Sequence, residues 1–155
     1  MKLQPTLVFL LFLATCFGAA AFGAQFAPGE WYAGLTRPSW NPPNWIFGPV
    51  WTVLYLLMAV SGWLVWRTAG FRGATGALAC FAVQLLLNAA WSWLFFGLHR
   101  PGLAFAEIVV LWLAILAPLL LFWKVRPLAG ALMVPYLLWV SFAAVLNLTL
   151  WQLNR

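Results

Sequence analysis

Aspartate is absent from this chain, and only two acidic residues occur in all. Charged residues make up 6% of the sequence, against roughly 25% in ordinary soluble domains. No pair of carboxylates is available for general acid–base work. No Ser/His/Asp or Cys/His set can be assembled around the single histidine. No glycine-rich loop of the phosphate-cradling kind appears. These gaps exclude classical hydrolytic, metal-dependent and ATP-driven chemistry, and they leave ion-coupled transport without charged relays. The two cysteines, Cys16 and Cys80, both fall in apolar runs and imply neither a metal site nor a disulfide framework. Each reads as a small buried hydrophobe. The net charge of +6 comes from eight basic residues scattered over short segments, which make no nucleic-acid surface.

What the chain has instead is apolar length. Hydrophobic residues form 66% of it. A soluble domain of this composition would leave a large apolar surface wet, so the class is all-α integral membrane. A helix needs about 20 apolar residues to cross a bilayer. Five runs meet that requirement, over about 7–24, 46–66, 74–98, 103–123 and 128–151. The joints are short, which predicts antiparallel neighbours in one bundle and a single domain over 1–155. The first run also has features of a signal peptide, namely Lys2 and the small residues from Gly18 to Ala21. It is long for a signal and is read here as a span.

An odd number of spans puts the termini on opposite sides. Lys2, Arg67, Arg72, Lys124 and Arg126 then share one side, and Arg37, Arg100 and Arg155 the other. The balance predicts a cytoplasmic N-terminus in a bacterial cell membrane. An outer membrane, bacterial or mitochondrial, would void that rule.

Between the first two runs lies the densest cluster of special residues. Positions 36 to 51 hold three Trp (Trp40, Trp45, Trp51) and four Pro (Pro38, Pro42, Pro43, Pro49), with Trp31 and Tyr32 just before. Proline fixes φ and removes donors. Indoles are flat and apolar, with one N–H. The segment 25–45 therefore reads as a stiff aromatic lid over something flat, and Trp51 as part of the second span.

Polar residues inside spans need partners or roles. Gln84, Asn88, Trp91 and Phe95 share one helical face by spacing. Tyr136, Trp139, Ala143 and Asn147 share another, and Trp51, Tyr55 and Met58 a third. If the three converge, they enclose a pocket with aromatic walls and a few amides. Gln84 and Asn88 read equally well as interhelical glue. Trp63, Trp66, Trp123 and Trp151 lie at span ends and read as interface anchors. Ala143 is small enough to leave room for a ligand. Glu107, the one acid in a span, is expected to reach the interface or to pair with a loop base. His99 receives no role. Gly76, Ala79 and Ala82 form a weak close-packing face on the third span.

The residues Trp31-Tyr32, Arg37 to Pro43 with Trp45, Pro49-Val50-Trp51 with Leu54-Tyr55, Gln84 and Asn88 with Trp91-Ser92, Phe95-Phe96-Gly97, and Pro135 to Trp139 with Phe142-Ala143 and Leu146-Asn147 carry a resemblance. Together they are similar to the TspO/MBR family, the tryptophan-rich sensory proteins related to the translocator protein or peripheral-type benzodiazepine receptor. The resemblance implies a five-helix bundle, usually a homodimer, that binds porphyrins of the protoporphyrin IX type and, in some members, sterols and synthetic drug ligands. Porphyrin would be a ligand, with no cofactor implied. Carried over by motif, Trp31, Tyr32, Pro43, Trp51, Tyr55, Asn88, Trp91, Trp139 and Ala143 would line the pocket. The resemblance also implies an alternative, light-dependent oxidative degradation of porphyrin, with Trp51 and Trp139 at the implicated positions. The sterol-recognition pattern of the animal members is missing, because Leu148 to Trp151 contain no Tyr.

Overall fold

The computed structural model describes residues 3–155, so Lys2, counted in the charge balance above, lies outside the described residues. Six α-helices form among the described residues: α1 (Pro5–Ala24), α2 (Glu30–Ala33), α3 (Phe47–Gly73), α4 (Thr75–Ser92), α5 (Pro101–Val125) and α6 (Pro127–Leu153). A 3₁₀ turn, Asn44–Ile46, leads into α3, and a π-helical turn, Trp93–Gly97, extends α4. Five of these segments are long and apolar enough to cross a membrane. The chain is thus an all-α, multi-pass membrane protein. Prolines start three of the long helices, at Pro5, Pro101 and Pro127. Their fixed φ suits the first turn, where the missing N–H has no partner to lose.

The five long helices close into a ring in the order α1, α3, α6, α5, α4 and back to α1. Short joints predict that consecutive helices are neighbours, and for α5 and α6 they are. The α3–α4 pair departs from that expectation. Only Ala74 separates them in sequence, yet α1 stands between them in the ring. The cause is local. Helix α3 runs past the expected end of its span and breaks at Gly70, with φ 69° and ψ 175°. Only glycine reaches that conformation without strain, and the break redirects the chain before α4 begins. The expected loop at 67–73 is therefore mostly helical.

Two hydrogen-bonded ties mark the two ends of the bundle. At one end Trp63 Nε1 donates to Pro5 O at 3.0 Å. At the other, Thr36 N donates to Asn154 Oδ1 at 2.8 Å and Asn154 Nδ2 to Thr36 O at 2.9 Å. This second pair pins the connection after α1 to the end of α6. The span-end tryptophans are held by packing as well. Trp63 lies under Arg67, whose guanidinium carbon is 4.8 Å from its ring centre. Trp151 covers Gly102, where any Cβ would meet its ring at 2.8 Å.

The half of the bundle near Pro5 is packed solid. Phe12 lies edge-on to Phe81, which stacks on Phe122 at 5.6 Å. Phe12 presses so closely on Gly62 that an added Cβ would meet it at 2.7 Å. Ser61 Oγ donates to Ala129 O at 2.6 Å, joining α3 to α6. Met58, Ala59, Val65, Ile115, Phe122 and Met133 are fully buried. The other half is hollow.

Candidate ligand cavity

The hollow half contains a cavity of about 440 Å³, within the range of roughly 300–1,000 Å³ usual for small-molecule sites. Its walls follow from helical spacing. Trp51 and Tyr55 come from α3, Asn88 and Trp91 from α4, and Trp139, Ala143 and Asn147 from α6. The three sequence faces thus meet. The ring centres of Trp51 and Tyr136 are 6.1 Å apart, edge to face. Trp91 Nε1 donates to Asn147 Oδ1 at 3.0 Å, and Asn147 Nδ2 donates to Pro101 O at 2.8 Å. Small residues of α1, Ala20, Gly23 and Ala24, leave the remaining wall open to an occupant.

The cavity floor is a buried hydrogen-bonded chain. The Tyr55 hydroxyl donates to Asn88 Oδ1. Asn88 Nδ2 donates to the Tyr136 hydroxyl at 2.7 Å, and that hydroxyl donates to Gln84 Oε1 at 2.8 Å. Gln84 Nε2 ends the chain at 3.7 Å from Met58 Sδ. This settles the open reading of the two amides. Gln84 is fully buried and does not front the cavity, so it is glue. Asn88 does both jobs, since it fronts the cavity and bridges three helices. A network with its donors and acceptors paired fixes rotamers and so fixes the cavity's shape.

Two residues expected in the lining do not line it. Trp31 stands behind Phe95 at 5.6 Å, edge to face, and stacks on His99 at 4.4 Å and 12°. Pro43 is exposed and sets the entry to the 3₁₀ turn, with φ −61° and ψ 144°. The cover drawn across 25–45 narrows accordingly. The residues against the cavity are Phe26, Ala27, Pro28 and Tyr32. Trp40 instead packs edge-on to Phe142, and Trp45 is 74% exposed.

Other residues enter that spacing did not single out. Phe96 joins Phe95 in the lining because the π turn Trp93–Gly97 re-aims the end of α4; such turns recur at functional sites. Its mark is the 2.8 Å bond from Leu98 N to Trp93 O. Ile108 and Leu111 bring α5 into the wall, although none of the residues carried over by motif lies on that helix. His99 has φ 55°, a conformation uncommon for a non-glycine residue, and it carries the Trp31 stack.

Glu107 also departs from expectation. Both carboxyl oxygens are buried and meet no hydrogen-bond partner among the described residues. Glu107 itself is half-buried on α5, but its carboxyl turns inward, so it neither reaches the interface nor pairs with a base among the described residues. No group of three or more His, Cys, Asp or Glu gathers as a metal site among the described residues.

The cavity is therefore apolar and aromatic, with amide and hydroxyl groups at its base. Comparison with known proteins agrees with that architecture. The model of the TspO/MBR family matches residues 8–152. Protein CrtK of Rhodobacter capsulatus is 43% identical, over 95% of this chain and 92% of its own. The tryptophan-rich sensory protein of Cereibacter sphaeroides is 42% identical, over 95% and 91%. The human translocator protein is 40% identical, over 86% and 82%. With the match running through all five spans, this chain belongs to the TspO/MBR family.

Proposed function

We propose that this chain is a membrane receptor or sensor that binds flat tetrapyrroles of the protoporphyrin IX type, holding them for sensing or transfer. The observation that carries the reading is the cavity wall itself. Trp51, Trp91 and Trp139 front one 440 Å³ space together with Tyr55 and Phe95. Trp91 and Phe95 are already stacked at 5.1 Å and 20°. Aromatic faces lining one space suit a planar macrocycle, and such contacts are each worth about 0.5–1.5 kcal/mol beyond area burial. The names of relatives as sensory and translocator proteins support a receptor role.

Titration of the purified protein with protoporphyrin IX is the test. Saturable quenching of tryptophan fluorescence is expected at micromolar ligand. Trp51→Ala and Trp139→Ala should each weaken it. Unchanged binding in both variants sinks the assignment of the cavity.

A second reading, light-dependent oxidation of the bound porphyrin, is favoured by the placement of Trp51 and Trp139 in the same wall. Illumination should then yield a product that disappears in Trp51→Phe and Trp139→Phe. Loss of porphyrin at an unchanged rate in both would mean free photochemistry. Sterol or drug ligands fit the apolar wall, but the missing Tyr after Asn147 argues against sterol transport as the main role. For self-association we assign the α4 face of Gly76, Ala79 and Ala82, which are exposed. A cysteine placed at Ala79 should cross-link in membranes if two copies meet there.

A further inference from the structure

The seam between α1 and α3 is filled at one end and empty at the other. From the Pro5 end, Phe9 packs on Trp63 at 5.3 Å, Phe12 presses on Gly62, and Phe17 packs on Tyr55 at 6.1 Å. The helices run antiparallel, and these pairs fix a register that brings residues 20–24 opposite 48–52. There the aromatic series stops on the α1 side. Its residues against the cavity are Ala20, Gly23 and Ala24.

Ala24, Gly48 and Thr52 line the cavity and are also exposed, whereas Trp51, Tyr55, Trp91 and Trp139 are buried or half-buried. Exposed lining on both facing helices marks an opening between them. An added Cβ on Gly48 would meet nothing within 4 Å. The Thr52 hydroxyl donates to Gly48 O at 2.8 Å, so its own helix satisfies it and the rim can face lipid. Both helices are long and apolar enough to cross a membrane. Thr52 lies five residues past the start of α3, about 7.5 Å along its axis. Among the described residues, the side-chain hydrogen bond that joins α1 to α3 lies at the far end, from Trp63 to Pro5.

We propose that ligands enter the cavity sideways from the bilayer, through a portal between the last turn of α1 and the first two turns of α3. The molecules it admits are flat, largely apolar and already dissolved in lipid. This route rests on the reading of the cavity as a ligand site, and it adds the side from which that site is filled. Ala24 and Thr52 are the gate residues, because each stands on one rim and neither has the bulk to close it. A membrane-dissolved ligand then reaches Trp51 without passing the cover or entering water. The Thr36–Asn154 clamp anchors the connection that follows α1, and so steadies the α1 rim.

Proteoliposomes holding the full-length protein are mixed with protoporphyrin IX, and tryptophan quenching is followed by stopped-flow. Ala24→Phe and Thr52→Phe, one on each rim, should each slow both association and release about tenfold, with equilibrium affinity changed less than about threefold. A barrier on the route delays both directions and leaves the bound state alone. Placing one variant on each rim guards against a single variant that fails to fold. Unchanged rates in both variants overturn the portal. Weaker binding at an unchanged association rate also overturns it, because the two residues would then only shape the pocket. A second measurement needs no ligand. In a Cys80→Ser background, with Cys16 buried and out of reach, a nitroxide is attached through Thr52→Cys. It should collide more often with oxygen, which concentrates in lipid, than with a water-soluble nickel chelate. The reverse order places the opening in water and overturns the portal. Failure of protoporphyrin IX to bind removes the tetrapyrrole reading, and the nitroxide result then decides the portal alone.

Discussion

The same five helices build a solid half and a hollow half, and the two differ in how side-chain size is distributed. In the solid half, large residues face small ones: Phe12 fills the space over Gly62, and Phe81 stacks on Phe122. In the hollow half, large aromatics from α3, α4 and α6 share the cavity wall with Ala20, Gly23 and Ala24 of α1 and with Ala143. The floor from Tyr55 through Asn88 and Tyr136 to Gln84 separates the halves. Stability is thereby concentrated at one end of the bundle, and room for a ligand at the other. Within lipid, such room must be built by shape, since burial of apolar surface between helices gives little driving force there.

That contrast can be broken most severely in the solid half. Phe122→Ala should lower stability by about 3–5 kcal/mol through loss of packing and a residual void. Thermal unfolding in detergent reads this, and porphyrin affinity in the surviving folded fraction should change little. A large loss of affinity at unchanged stability would erase the distinction between the halves.

Cutting the floor comes next. Asn88→Ala leaves the Tyr55 hydroxyl without its acceptor and the Tyr136 hydroxyl without a donor. The cost should be about 1–3 kcal/mol, and ligand affinity should fall as well, because Asn88 belongs to both halves. A fall in only one of these quantities would place Asn88 in one half alone.

Filling the hollow half sharpens the contrast. Ala143→Leu should leave stability within about 1 kcal/mol, because free space receives the side chain. It should weaken porphyrin binding about tenfold or more, which corresponds to about 1.4 kcal/mol. Titration beside a melting curve checks both.

The smallest effect is expected at the clamp. Asn154→Ala removes both hydrogen bonds to Thr36 and should cost about 1 kcal/mol, since both groups are solvent-exposed. Its signature should be kinetic: faster ligand release in stopped-flow, with a smaller change in affinity than Ala143→Leu produces. Trp51→Ala should do the reverse, changing affinity more than rate.

Much of this was legible from residue spacing. The helical faces of Trp51 and Tyr55, of Asn88 and Trp91, and of Trp139, Ala143 and Asn147 follow from 3.6 residues per turn, and each fronts the cavity. The exceptions lie where the backbone leaves that period. Phe96 is turned in by a π turn, Trp31 is drawn away by a stack with His99, and Pro43 shapes a 3₁₀ turn. Spacing carries no information about irregular backbone, so it passed over Phe26 and Phe96, while the motif resemblance placed Trp31 and Pro43 in a lining they do not join.

Composition and apolar run length alone determined that this is an all-helical membrane protein with five spans, because continuous apolar runs of about 20 residues cross lipid as helices that satisfy their own backbone. Motif order determined its family. Only the tertiary structure decided the ring order that sets α1 between α3 and α4, the division into solid and hollow halves, and the isolation of Glu107. Each of those depends on which side chains meet across helices, and a face known from its own sequence does not say what stands opposite it.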